Sequence, residues 1–214
     1  MKRLVLASVV LALLIVVPVP IMAAVDIHIG IPLPPPPPIV FAKPPEVIVL
    51  PDTNNVYVAP DVNVDLFFWN GWWWRPWNGR WYHSRYFDRG WVYYDNVPRF
   101  YFNVDPGWRG YYRDRHWHGH PWHYERIHDR RLQEQWKSWQ RDGYWEKHGT
   151  WGVEKYHDRP KPHQRQELSH RREQEYHQRP EVQQHEQWKK EQQRKAEHRG
   201  KEGWEDKGKE KHKD

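Results

Sequence analysis

Four histidines, His116, His118, His120 and His123, fall within the eight residues HWHGHPWH. Imidazole nitrogen suits zinc, copper or nickel. On an extended strand every second side chain shares a face, so His116, His118 and His120 would offer three nitrogens to one ion. Against a built site, no His-Glu-x-x-His helix and no cysteine accompanies them, and 13 of the 15 histidines lie after Arg115, so the clustering follows composition in part. The residues favour diffuse, low-affinity surface binding of a transition metal, with no resident cofactor.

The second group able to do chemistry is aromatic. Between Leu66 and Tyr94, 14 of 29 residues are Phe, Trp or Tyr, in LFFWNGWWWRPWNGRWYHSRYFDRGWVYY. Exposed rings stack on sugars, on bases or on a second copy of themselves, and buried rings simply form a core. Arg75, Arg80, Arg85 and Arg89 interleave with them, a pattern that single-stranded nucleic acid also fits. An export signal and a near-neutral aromatic segment argue against nucleic acid. For catalysis, Ser84 next to His83 is no dyad, because neighbours on a strand point to opposite faces. No glycine-rich phosphate loop is present, and Asp61 and Asp65 read as solubilising strand-edge residues. An enzyme is not expected.

The elements that must position these groups follow from two Asn-Gly pairs. Both central residues of a type I′ turn need positive φ, and Asn-Gly between apolar residues is the strongest short hairpin signal. A turn at Asn70-Gly71 sets Trp69 opposite Trp72, Phe68 opposite Trp73 and Phe67 opposite Trp74. A turn at Asn78-Gly79 sets Trp77 opposite Arg80, Pro76 opposite Trp81 and Arg75 opposite Tyr82. With period-two alternation one face collects Val64, Leu66, Phe68, Trp73, Trp77 and Tyr82, and the other Phe67, Trp69, Trp72, Trp74 and Trp81. Pro76 lacks a ladder donor and is expected at a bulge or strand end.

Short strands are also predicted over 46–50, 56–58 and 91–94, with one more over 100–104. Ile127, Leu132, Trp136 and Trp139 follow a helical stripe over about 123–141, bounded by Pro121 and Gly143. This one helix covers one sheet face, which leaves Trp69, Trp72, Trp74 and Trp81 as an uncovered aromatic face and the candidate ligand site.

Composition bounds the rest. Met1-Lys2-Arg3, the apolar run Leu4–Val17 and a break ending in Ala23-Ala24 read as a signal peptide over 1–24, an uncleaved anchor being the alternative. Once the signal is cleaved, no stable transmembrane anchor is expected. The proline-rich stretch, 25–45, contains five consecutive prolines and reads as a stiff polyproline II spacer. An aromatic β-meander over 46–115 and a His-rich loop and helix over 116–142 follow. The net charge of +6 belongs to the ends, for 17 Lys/Arg against 13 Asp/Glu lie from Lys155 on. The segment 143–214 therefore reads as a charged, mostly disordered tail, with a transient helix over 180–199 supported by the i,i+4 pairs Glu186/Lys190 and Glu191/Lys195. The fold class is a small α+β domain: an antiparallel meander of three to five strands with one packed helix.

PPEVIVLPDTNNVYVAPDVNVDLFFWNGWWWRPWNGRWYHS resembles exported bacterial proteins with aromatic-glycine repeats of the YXWGXW type. Trp69-Asn-Gly-Trp-Trp-Trp and Trp77-Asn-Gly-Arg-Trp-Tyr carry the resemblance, with Asn before each Gly where the strict repeat has Trp. It implies a cell-envelope location, periplasmic or secreted, and no activity or cofactor. The expected partners are envelope polysaccharide, an envelope protein or a second copy.

Overall fold

A computed structural model describes residues 35–210; the expected signal segment and the first part of the proline-rich stretch lie outside them. Six antiparallel strands form an open meander in sequence order: β1 Ile48–Val49, β2 Tyr57–Val58, β3 Phe67–Trp69, β4 Trp72–Trp77, β5 Arg80–Ser84 and β6 Val92–Tyr94. Asn70 (φ 51°), Gly71 (φ 78°), Asn78 (φ 48°) and Gly79 (φ 69°) all take the left-handed conformation of I′ turns. The register follows from them, with Trp69 opposite Trp72, Phe67 opposite Trp74, Trp77 opposite Arg80 and Arg75 opposite Tyr82.

Pro76 corrects an expectation, since it lies inside β4 opposite Trp81. Trp77 and Arg80 flank the turn as a hydrogen-bonded pair, and the pattern alternates from there. Pro76 therefore owes β5 no donor. Its nitrogen faces the β3 side, where β3 begins only at Phe67, level with Trp74.

Alternation sends two sets of rings to two cores. Ile48, Val58, Phe67, Trp74 and Trp81 enter one, and Val49, Tyr57, Leu66, Phe68 and Trp73 enter the other. The second core is closed by α2 (Asp129–Asp142) and α3 (Tyr144–Lys147), which supply Leu132, Trp139 and Trp145. Helix α2 begins later than expected, because Ile127 pairs as an isolated bridge with Val47 at N···O distances of 2.8 and 2.9 Å. Gly143 (φ 61°) ends it in the left-handed conformation.

The first core is closed by segments expected to be strand, loop or disorder. Residues 99–103 form a 3₁₀ turn, not a strand, and bury Phe100 and Phe102. Next come α1 (Trp108–Asp114) and a small hairpin of β7 (His116–Trp117) and β8 (His120–Pro121). The charged tail then folds into α4 (Pro162–His177) and α5 (Pro180–Glu210). Gln, Glu, Lys and Arg are good helix formers, and each helix starts with proline at a position where no N–H is needed. Anchoring is by few residues: Tyr176 from α4 and Val182 and His185 from α5 are buried. Arg172 adds a contact at 3.1 Å to Asp105, and Lys189 one at 2.8 Å to Asp95.

Among the described residues there are thus five α-helices and two sheets, of six and two strands, in place of one helix and three to five strands. The fold is α+β with helical cover on both sheet faces, and the described part of the tail belongs to it.

Candidate functional site

The four tryptophans of the candidate face separate into two pairs. Trp74 and Trp81 are 5% and 2% exposed, whereas Trp69 and Trp72, at the hairpin end, are half-buried. Phe100 makes the difference. Its ring lies 5.3 Å from Trp69, 5.6 Å from Phe67, 5.9 Å from Trp74 and 6.2 Å from Trp81. Tyr101 adds an edge contact to Trp81 at 4.7 Å. The uncovered face expected from the sequence is therefore covered over Trp74 and Trp81. Only its rim remains open: Trp69, Trp72, His83 and Tyr94, from β3 to β6.

The rim rings are fixed. Trp69 Nε1 donates to Asn54 O at 3.2 Å. Trp72 carries the Arg85 guanidinium 3.6 Å from its ring centre and stacks on His83 at 4.6 Å with an 18° interplanar angle. Arg85 Nη1 in turn donates to Gly71 O at 2.9 Å, which ties the cation to the turn beside the ring. Burial and the nearby Arg85 cation lower the His83 pKa, so the stacked imidazole is neutral at neutral pH. Nothing in the spacing announced this stack, though Arg85 falls opposite Trp72 if the β4–β5 register is continued past Ser84.

The histidines do not converge. His118 (φ 47°) and Gly119 (φ 88°) are the turn between β7 and β8, so His116, His118 and His120 are not on one extended strand. Each imidazole takes a different partner. His116 Nδ1 lies 2.7 Å from Asp114 O, His118 Nε2 3.2 Å from Asp105, His120 Nε2 2.8 Å from Asp158 and His123 Nε2 2.9 Å from Glu154. Among the described residues, no group of three or more His, Cys, Asp or Glu is placed to hold a metal ion.

A cleft of about 310 Å³ opens beside β7, walled by loop residues and α4. On its floor Asp52 Oδ2 accepts from Tyr156 OH at 2.5 Å and from Trp117 Nε1 at 3.2 Å, while Oδ1 is buried without a partner. Burial and the adjacent Asp52 raise the Tyr156 pKa, which keeps its hydroxyl a donor. Asp105 is committed to Arg172, His118 and the Gly107 N–H. The groups described here hold one another, and none is a nucleophile paired with a free base. Sequence reading missed this cleft because its walls come from four segments far apart in the chain.

No protein-family model, no curated protein and no solved structure matches this chain. Among the described residues, no helix is long and apolar enough to cross a membrane.

Proposed function

We propose that the chain is an exported, non-enzymatic cell-envelope protein that binds envelope polysaccharide at the Trp69–Trp72 rim. One observation carries the reading. Two indoles directly opposite each other across an Asn-Gly turn are half-exposed yet immobilised, one by a hydrogen bond and the other by a guanidinium–imidazole stack. Trp69 held this way loses little conformational freedom when a sugar ring packs on it, and Trp72, stacked by Arg85 and His83, offers its exposed edge. Where bases stack on protein aromatics, each ring contributes about 1–3 kcal/mol by alanine substitution, and two or three rings of this kind give useful affinity for a repeating polymer. The aromatic-glycine resemblance and the signal-like first 24 residues support the location.

The test is co-sedimentation of the mature chain with insoluble envelope polysaccharide. Trp69→Ser with Trp72→Ser should abolish retention while the variant still unfolds cooperatively, at a lower temperature than the parent. Retention undiminished in that variant, with the fold intact, refutes the rim as the binding surface.

A further inference from the structure

The described part of the proline-rich stretch, residues 35–45, does not stand off from the domain as a spacer. Pro36 is buried, Ile39 and Phe41 are half-buried, and Pro37, Pro38 and Val40 are exposed. Ile39 and Phe41 pack against the core closed by α2, and the Phe41 ring meets Phe87 edge-on at 5.0 Å.

Beneath this strap lies Arg75, only 4% exposed. Its Nη1 donates to Pro37 O at 2.5 Å, and its Nε is buried without an acceptor. No carboxylate is among its ion-pair partners in the described residues. Aromatic-lined grooves commonly read proline-rich segments, and Trp73 and Trp77 flank Arg75 on its face of β4. Here the occupant is the chain's own N-terminal segment.

The strap is joined to β1 through a bend at Ala42-Lys43, followed by Pro44-Pro45. Proline after the bend favours an extended path, so opening straightens the hinge and keeps every strap contact available to another molecule. Exchange of an identical element between copies is a low-cost route to association, because the same contacts are remade.

We propose that the Arg75 groove is a receptor for the proline-rich strap of a second copy, so that residues 36–41 of one chain link it to the sheet of another. The second copy is the occupant because its segment is the ligand whose fit the groove already displays. The link is concentration-dependent, since the tethered strap competes at high effective concentration.

The chain has no cysteine, so single labels can be placed at will. One full-length population carries a donor at Val40→Cys on the strap (92% exposed), and another an acceptor at Tyr86→Cys (53% exposed), next to Phe87. With one label per chain, energy transfer arises only between copies. Transfer should grow with total concentration in step with a dimer seen by light scattering. An excess of unlabelled peptide spanning residues 35–42 should abolish it, and Arg75→Met in the acceptor population should lower it severalfold. Peptide competition needs no core substitution, so it decides the matter if Arg75→Met fails to fold. Absence of transfer at all concentrations, a dimer without transfer, or transfer that the peptide does not displace would each overturn the proposal.

Discussion

The indole Nε1 of Trp81 donates to the hydroxyl of Tyr176 at 3.0 Å, joining β5 to α4 across 95 residues of chain. Both groups are buried, and burial pushes the Tyr176 hydroxyl up to about 12, so it stays protonated at any ordinary pH. This bond fixes the charged tail to the aromatic sheet.

Tyr176→Phe removes the acceptor and strands a buried indole N–H. The expected loss is about 1–3 kcal/mol, the usual penalty for an orphaned buried donor. Urea unfolding measures it. In a double-mutant cycle, Tyr176→Phe should cost far less in the Trp81→Phe background than in the parent, because without the indole donor nothing is left unsatisfied.

Gly79 is where α5 meets the sheet. A β-carbon there would lie 2.3 Å from Glu181 O, and its φ of 69° already disfavours a side chain. Gly79→Ala should lift the start of α5 off the β4–β5 turn. Limited proteolysis should then release the segment after Pro180 faster than in the parent, while the sheet survives.

His185 gives a pH dependence. Its Nδ1 accepts from Arg80 Nε at 3.2 Å and its Nε2 lies 2.9 Å from the Tyr93 hydroxyl. Burial first, and the Arg80 cation second, pull the imidazole pKa from 6.5 down to about 4. Between those two values the unfolded chain binds the proton and the folded chain does not. The contribution is therefore complete above the unfolded pKa and lost as pH falls toward the folded one. His185→Gln should show a smaller drop in urea midpoint between about pH 7 and about pH 4.5 than the parent.

The two sets of tryptophans should respond differently to truncation. Trp73→Ala and Trp74→Ala remove buried rings and should each cost about 3–5 kcal/mol, with Trp69→Ala well below that. Trp73 Nε1 is buried without an acceptor, unlike Trp81 Nε1. Trp73→Phe should accordingly cost less than Trp81→Phe, by about 1 kcal/mol in chemical denaturation.

The hairpins were legible in the sequence because turn chemistry and alternation acted together. Asn-Gly fixed the turn type, and the turn type fixed which residue faces which. Cover was not legible. Phe100-Tyr-Phe alternates like a strand, yet it follows Pro98 into a 3₁₀ turn that seats Phe100 among Phe67, Trp69, Trp74 and Trp81. The tail misled for a related reason. Its polar composition argues for disorder, but a helix needs few anchors once a partner surface exists, and Tyr176, Val182 and His185 are enough to dock α4 and α5. The i,i+4 pairing was legible only in part: Glu191 does pair with Lys195 at 2.7 Å, whereas Glu186 turns to His177 at the same distance. Of the four histidines, spacing alone suggested convergence, and a left-handed His118 undid it.

The strand order has a kinetic meaning. Each of the six strands pairs with its neighbour in sequence, so every ladder closes a short loop, and the central two close over tight turns whose conformation is local. Loop-closure entropy is small at each step, and topologies of low contact order cross their folding barrier quickly. Contacts such as Trp81 with Tyr176 span nearly half the chain and reward folding only after the meander exists. A chain emerging from its N-terminal end would thus assemble its aromatic ladder first and accept the helical cover as a late addition, with both layers of rings open to the surroundings in between.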